Sequence, residues 1–159
     1  MGFETKLDRG KDLTEISFIG DIDEDSEAIL LSLIDKIDGD SIFDMSKVIS
    51  VNSCGVRSWI NFIREVDKKG KIILKNCSQA VVSQINMIPN FRGDASVESV
   101  YCRYICEECD LYKDVLFTEG ENMPVIDKDL DIEDVICSKC NQNMEMEEAE
   151  EEFFSWIFE

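Results

Sequence analysis

The chain has 159 residues, 44% of them hydrophobic, a formal net charge of −19 and no histidine. That hydrophobic share supports a packed core and excludes wholesale disorder, and the acidity makes a phosphate backbone a poor partner. The lack of histidine removes the commonest general base, the commonest mixed zinc ligand and the usual pH switch.

Residues 3–8 and 13–19 read as two short strands around the turn Arg9-Gly10-Lys11-Asp12, a hairpin pattern. A helix is expected from about Ser26, with Asp25 or Ser26 as its cap. Leu30, Leu33, Ile34 and Ile37 form its buried stripe, and Gly39 suits its stop. Residues 41–45 form a short strand and a loop follows. A second helix opens near Ser53, with Val56, Trp59, Ile60 and Ile63 inward and Gly70 at its end. The β-branched run 71–75 reads as a strand buried on both faces. A third helix spans residues 78–87, with Val81, Val82 and Ile85 inward and Pro89 beyond it. Residues 97–104 alternate as a last strand. The order is that of an α/β fold in which right-handed crossovers set helices against a mixed β-sheet.

Charge and cysteine divide the chain. Residues 1–100 carry 12 Lys+Arg and 17 Asp+Glu, whereas residues 101–159 carry 4 and 18. A basic protein surface is therefore a better partner for the second region than nucleic acid. No apolar run approaches the ~20 residues needed to span a bilayer. The start, Met1-Gly2-Phe3-Glu4, has no positive head before an apolar stretch, so we expect no secretory leader and a cytoplasmic location. Of the seven cysteines, Cys54, Cys77, Cys102, Cys106, Cys109, Cys137 and Cys140, five fall in the last 58 residues, which in a reducing compartment suggests metal before disulfides.

Cys106-Glu-Glu-Cys109 and Cys137-Ser-Lys-Cys140 are two C-x₂-C pairs. Each makes a tight knuckle whose sulfurs face one point, and two knuckles supply four tetrahedral ligands. Asp110 and Asn141 follow, where a left-handed backbone is needed and these residues tolerate it. Residues 111–117 and Val135-Ile136 alternate as strands beside the knuckles, with 118–134 as a long polar loop. This is the plan of a zinc ribbon holding one structural zinc ion. A rubredoxin-like iron site and a pair of redox dithiols are the alternatives. Cys77 and Cys102 read as packing residues. Residues 144–152 read as an acidic helix leading into Phe153-Phe154-Ser155-Trp156-Ile157-Phe158, which either docks on its own ribbon or sheet or inserts into a partner's groove.

Three stretches carry a resemblance. Gly20-Asp21-Ile22-Asp23 is similar to a Gly-Glu-Leu-Asp element. Phe43-Asp44-Met45-Ser46 and then Asn52-Ser53-Cys54-Gly55 are similar to Asp-Leu-Ser followed by Asp-Ser-Ser-Gly. Gly70-Lys71-Ile72-Ile73-Leu74 with Cys77-Ser78-Gln79-Ala80-Val81 follows in register. Together they resemble the STAS (anti-sigma-factor-antagonist-like) family over residues 3–104. The resemblance implies a STAS-like fold and a role in partner binding within bacterial regulatory switches. In the switch proteins of that family a kinase modifies the serine directly before the glycine. Here that position is Cys54, with Asn52 in place of the acidic residue and Ser53 as the neighbouring serine. Cys54 reads as a buried small apolar residue, as a neutral occupant of a binding surface, or as a redox-sensitive thiol at a helix start.

The expectation is a STAS-like domain over 1–104, a zinc ribbon over 105–143 with Cys106, Cys109, Cys137 and Cys140 as ligands, and a C-terminal helix over 144–159. The function expected is non-enzymatic regulation by protein binding. Asp23, Asn52, Ser53, Cys54 and Gly55 form the docking surface, for an anti-sigma factor, a kinase or a sensor assembly. Nucleic acid, membrane and small-molecule substrates are not expected. A phosphoswitch at Ser53 and a thiol redox sensor are the alternatives.

Overall fold

A computed structural model describes residues 2–124 and 132–158, so part of the long polar loop lies outside the described residues. The molecule is mixed α/β, with a five-stranded sheet, a four-stranded sheet and helices packed between and beside them.

In the first sheet β1 (Glu4–Arg9) pairs antiparallel with β2 (Leu13–Ile22), as the hairpin pattern predicts. Strands β3 (Asp40–Val51), β4 (Ile72–Lys75) and β5 (Ser96–Val97) then add in parallel, giving the order β1-β2-β3-β4-β5. The crossovers are α1 (Glu27–Ile34), α2 (Ser53–Asp67) and α3 (Gln79–Met87). One face of the sheet is sealed. Thr14, Ile16, Phe18, Gly20 and Ile22 on β2, Ser41, Phe43 and Met45 on β3, and Ile72 and Leu74 on β4 are all buried, while the residues between them are half-buried or exposed. β4 is thus buried on one face only, and the expectation of two buried faces is corrected.

The core of this lobe is aromatic. The Phe18 ring meets Phe43 and Trp59 edge-on, each at 5.1 Å between centroids, and Phe43 stacks on Phe62 at 5.7 Å. Such edge-on and offset contacts suit the ring quadrupoles. The Trp59 indole N–H donates to the carbonyl of Phe91 at 2.9 Å, so the one polar group of the largest core side chain is satisfied.

Three boundaries differ from the sequence reading. β3 runs to Val51, through the segment expected as a loop, because it pairs along the whole of β2 across two register shifts. Those shifts break the period-2 pattern at Ser46-Lys47 and hide the strand. Helix α1 closes at Ile34, and Ile37 is buried from the turn beyond it. The buried face of α2 is Gly55, Trp59, Phe62, Ile63 and Val66; Val56 and Ile60, expected inward, are half-buried.

The second sheet has the order β7-β6-β9-β8, from β6 (Ser99–Cys106), β7 (Leu111–Thr118), β8 (Val135–Ile136) and β9 (Asn143–Met146), and every pairing is antiparallel. The run 96–106 serves both sheets. Val97 pairs with Leu74 in the first, the Cys77 N–H and carbonyl then bond Ser99 and Tyr101, and β6 continues into the second sheet up to Cys106. The strand therefore passes through residue 104, where the sequence reading placed a domain boundary. Buried residues of both lobes form one contiguous cluster, from Phe3 to Trp156.

The acidic helix expected over 144–152 is corrected. Residues 143–146 are strand β9, and only α4 (Glu150–Phe153) is helical, followed by a 3₁₀ turn over Ser155–Phe158. Pairing with β6 and β8 overrides the helical preference of Met and Glu. The apolar end docks on its own chain. Phe153 and Phe154 are fully buried, Phe154 meets Phe117 edge-on at 5.2 Å, and Asn86 of α3 binds the segment from one carboxamide. Its Nδ2 donates to the carbonyls of Glu152 (3.1 Å) and Phe153 (3.0 Å), and its Oδ1 accepts from Ser155 Oγ (2.9 Å) and the Trp156 N–H (3.0 Å). No helix among the described residues is long and apolar enough to cross a membrane.

Candidate functional site

The four cysteines of the two C-x₂-C pairs meet. The first knuckle joins β6 to β7 and the second joins β8 to β9, so two antiparallel hairpins present their turns to one point. Asp110 (φ 53°) and Asn141 (φ 61°) take the left-handed conformation after each second cysteine, which turns the chain back into its hairpin. The N–H of Asn141 also closes onto the carbonyl of Cys137 at 2.9 Å. The sulfurs of Cys106, Cys109, Cys137 and Cys140 all lie within 4.8 Å of one another, and Cys106 and Cys140 are 3.6 Å apart. A tetrahedron with ~2.3 Å metal–sulfur bonds has an edge of ~3.8 Å, so the spacing fits one ion.

The electrostatics point the same way. The backbone N–H of Cys140 and then that of Lys139 aim at the Cys137 sulfur and hold its thiol down to about 6, while burial pushes Cys109 up to about 12. Four thiols this close cannot all ionise unless a cation shares the site. Cys106 and Cys137 are buried, Cys109 and Cys140 half-buried. The cluster can hold a metal ion, and an all-sulfur tetrahedral set selects zinc or iron. Cys102 is buried four residues before the cluster and lies outside it, as a packing residue should.

The second candidate lies at the start of α2, across the end of β2. Asn52 caps the helix: its Oδ1 accepts from the Gly55 N–H at 2.8 Å and its Nδ2 donates to Glu24 at 2.9 Å. Gly55 is buried because a Cβ there would overlap the carbonyl of Ile22. It supports the turn and presents no surface, which corrects its place among the contact residues. Asp23 is half-buried and braces the neighbouring turn. Its carboxylate accepts from the Asp25 N–H at 3.0 Å, and its own N–H donates to Ser26 Oγ at 3.0 Å. Ser26 is the N-cap of α1 by position but does not bond the helix with its side chain.

Ser53 and Cys54 are exposed. The reading of Cys54 as a buried apolar residue is corrected, since position 54 falls off the face that carries Trp59 and Phe62. Around the two lies a hollow of about 340 Å³ walled by Glu24, Glu27, Arg57 and Ser58 as well. Glu24 and Arg57 were not singled out from the sequence. Arg57 lies three residues after Cys54, one helical turn on, and that spacing was the available signal; Glu24 arrives by a chain reversal that no local pattern shows.

No protein-family model matches this chain, and comparison with curated protein sequences gives no significant match.

Proposed function

We propose that this protein is a non-enzymatic regulatory module that binds a protein partner. In this reading a STAS-like domain presents the first turn of α2, and a ribbon clamped by one structural zinc ion stands beside it. The observation that carries the reading is the exposure of Ser53 and Cys54 on a turn fixed from three sides, by the Asn52 cap, the Gly55–Ile22 approach and the Asn52–Glu24 hydrogen bond. Two of the stretches that resemble the STAS family, 20–23 and 52–55, come together there, and the order of strands and helices in the first sheet agrees with that likeness. Zinc is favoured over iron because a ribbon of this size builds little core of its own and zinc closes such sites without redox chemistry. The hollow of about 750 Å³ between the start of α3 and β6 does not favour a phosphorylated small molecule. Its one guanidinium, Arg103, is already paired with Asp114 at 3.3 Å.

The experiment is affinity capture from a cytoplasmic extract with the wild-type chain and with Cys54→Asp, which sets a charge at the helix start. A changed set of bound proteins supports the turn as the contact surface; an unchanged set defeats it. A second reading, a phosphoswitch, rests on the exposed Ser53 hydroxyl at the same turn. Intact mass after incubation with candidate serine kinases tests it, and a chain that gains no phosphate on Ser53 removes it.

A further inference from the structure

A hollow of about 220 Å³ opens beside β9 on the ribbon, away from the α2 turn. Its rim is acidic: Glu133, Glu145, Glu148 and Glu150 all line it. Among the described residues none of these carboxylates has a Lys or Arg partner. Burial, and then the charge of the neighbouring Glu152, raise the Glu148 carboxyl above its ordinary value. Between the acids the wall is apolar, with Ile132, Val135 and Met146 half-buried and Met144 buried. Tyr104 also lines the hollow. Its side chain is 3% exposed and its hydroxyl has no hydrogen-bond partner. A buried hydroxyl left unpaired is costly, so this one favours a polar ligand atom that reaches it.

We propose that this hollow takes the side chain of a lysine or arginine from a partner protein. The methylene stem lies along Ile132, Val135 and Met146, as long cationic side chains do on apolar walls. The charged head meets Glu145, Glu148 and Glu150 and offers an N–H to the Tyr104 oxygen. A bare divalent ion fits less well, because it uses neither the apolar walls nor a volume of this size. This contact does not depend on what the α2 turn binds.

The test is a titration of the metal-loaded, full-length protein, labelled at its methionine methyls, with a short acetylated peptide carrying one arginine. The same peptide with citrulline, the neutral isostere, and calcium chloride are run in parallel. The arginine peptide is expected to shift the Met144 and Met146 methyls saturably, and citrulline to leave them in place. Glu148→Gln with Glu150→Gln, both isosteric changes at half-buried positions of the rim, should weaken the arginine peptide by at least about fivefold, and Tyr104→Phe by about two- to fivefold. Equal responses to arginine and citrulline, no shift at these methyls, an unchanged affinity in the double variant, or calcium reproducing the shifts at lower concentration would each overturn the proposal. The Cys54→Asp variant should bind the peptide as wild type does, so failure here is distinct from failure of the α2 turn as a docking surface.

Discussion

Position 55 shows how a single atom sets the candidate turn. Any β-carbon there collides with backbone at the end of β2, so Gly55→Ala forces α2 away from the sheet. We expect a loss of about 1–3 kcal/mol, the usual cost of overpacking, read as a lowered urea midpoint. The cysteines divide as sharply. Cys54 is exposed, whereas burial pushes Cys102 up to about 12 and Cys77 higher still. A maleimide reagent at neutral pH should label Cys54 within minutes and leave Cys77 and Cys102 unlabelled until the protein unfolds; equal labelling would contradict their burial. Asp67 supplies a pH dependence. Burial raises its pKa, against the Asp94 N–H that it accepts at 3.1 Å. Its folded form thus holds a proton that the unfolded chain has already released, and this group's contribution falls as pH rises from about 4 through its raised value. Asp67→Asn should therefore gain stability at pH 7 relative to wild type, with the difference shrinking on acidification. The start of α2 at Ser53 was legible in the sequence, whereas Asn52 as its cap and Gly55 as its close approach to the end of β2 were not, because both depend on partners that the fold supplies. Cys54 stayed open between a buried and a surface position, because a small thiol at a helix start suits either. The packed face of α2 was only partly legible, since Val56 and Ile60, expected inward, flank the face that carries Trp59 and Ile63. Phe62 and Val66, the residues that fix its orientation, had been left out of the stripe.

At the scale of elements, strong periodicity read well and pairing-dependent segments read poorly. The β1–β2 hairpin, the cores of α2 and α3 and both knuckles follow from patterns confined to a few residues. β9 was misread as helix because Met144-Glu145-Met146-Glu147 suits either state in isolation, and only the neighbouring strands decide. The tail segment was legible as apolar but not as to where it binds, since Asn86 lies 66 residues or more away in sequence. That one carboxamide answers two carbonyls and two donors. Asn86→Ala should cost about 1 kcal/mol or somewhat more, by leaving part-buried backbone groups unpaired. Limited proteolysis checks the mechanism: cleavage between residues 147 and 158 should quicken while the first sheet stays resistant.

For the molecule as a whole, the shared core makes the metal centre a matter of global stability. If the four sulfurs hold an ion, its binding free energy is folding free energy for the ribbon, and through the common cluster it reaches the first lobe. Chelation, or Cys106→Ser, should lower the melting temperature in a single broadened transition and leave the first sheet less stable than in the loaded protein. Metal analysis of purified protein should find one zinc per chain. Two fully separate transitions, with the first unmoved by chelator, would show that the lobes are energetically independent.

The strand that passes from one sheet to the other has an implication for how this protein can be divided. A gene split at residue 104, or a protease nick nearby, would not release two self-sufficient pieces. The amino-terminal piece would end in an unpaired stub, and the carboxy-terminal piece would lose the central rung on which β7 and β9 both hang. Fusion partners are better placed at the chain ends, and a shuffled ribbon would have to carry residues 96–106 with it to fold.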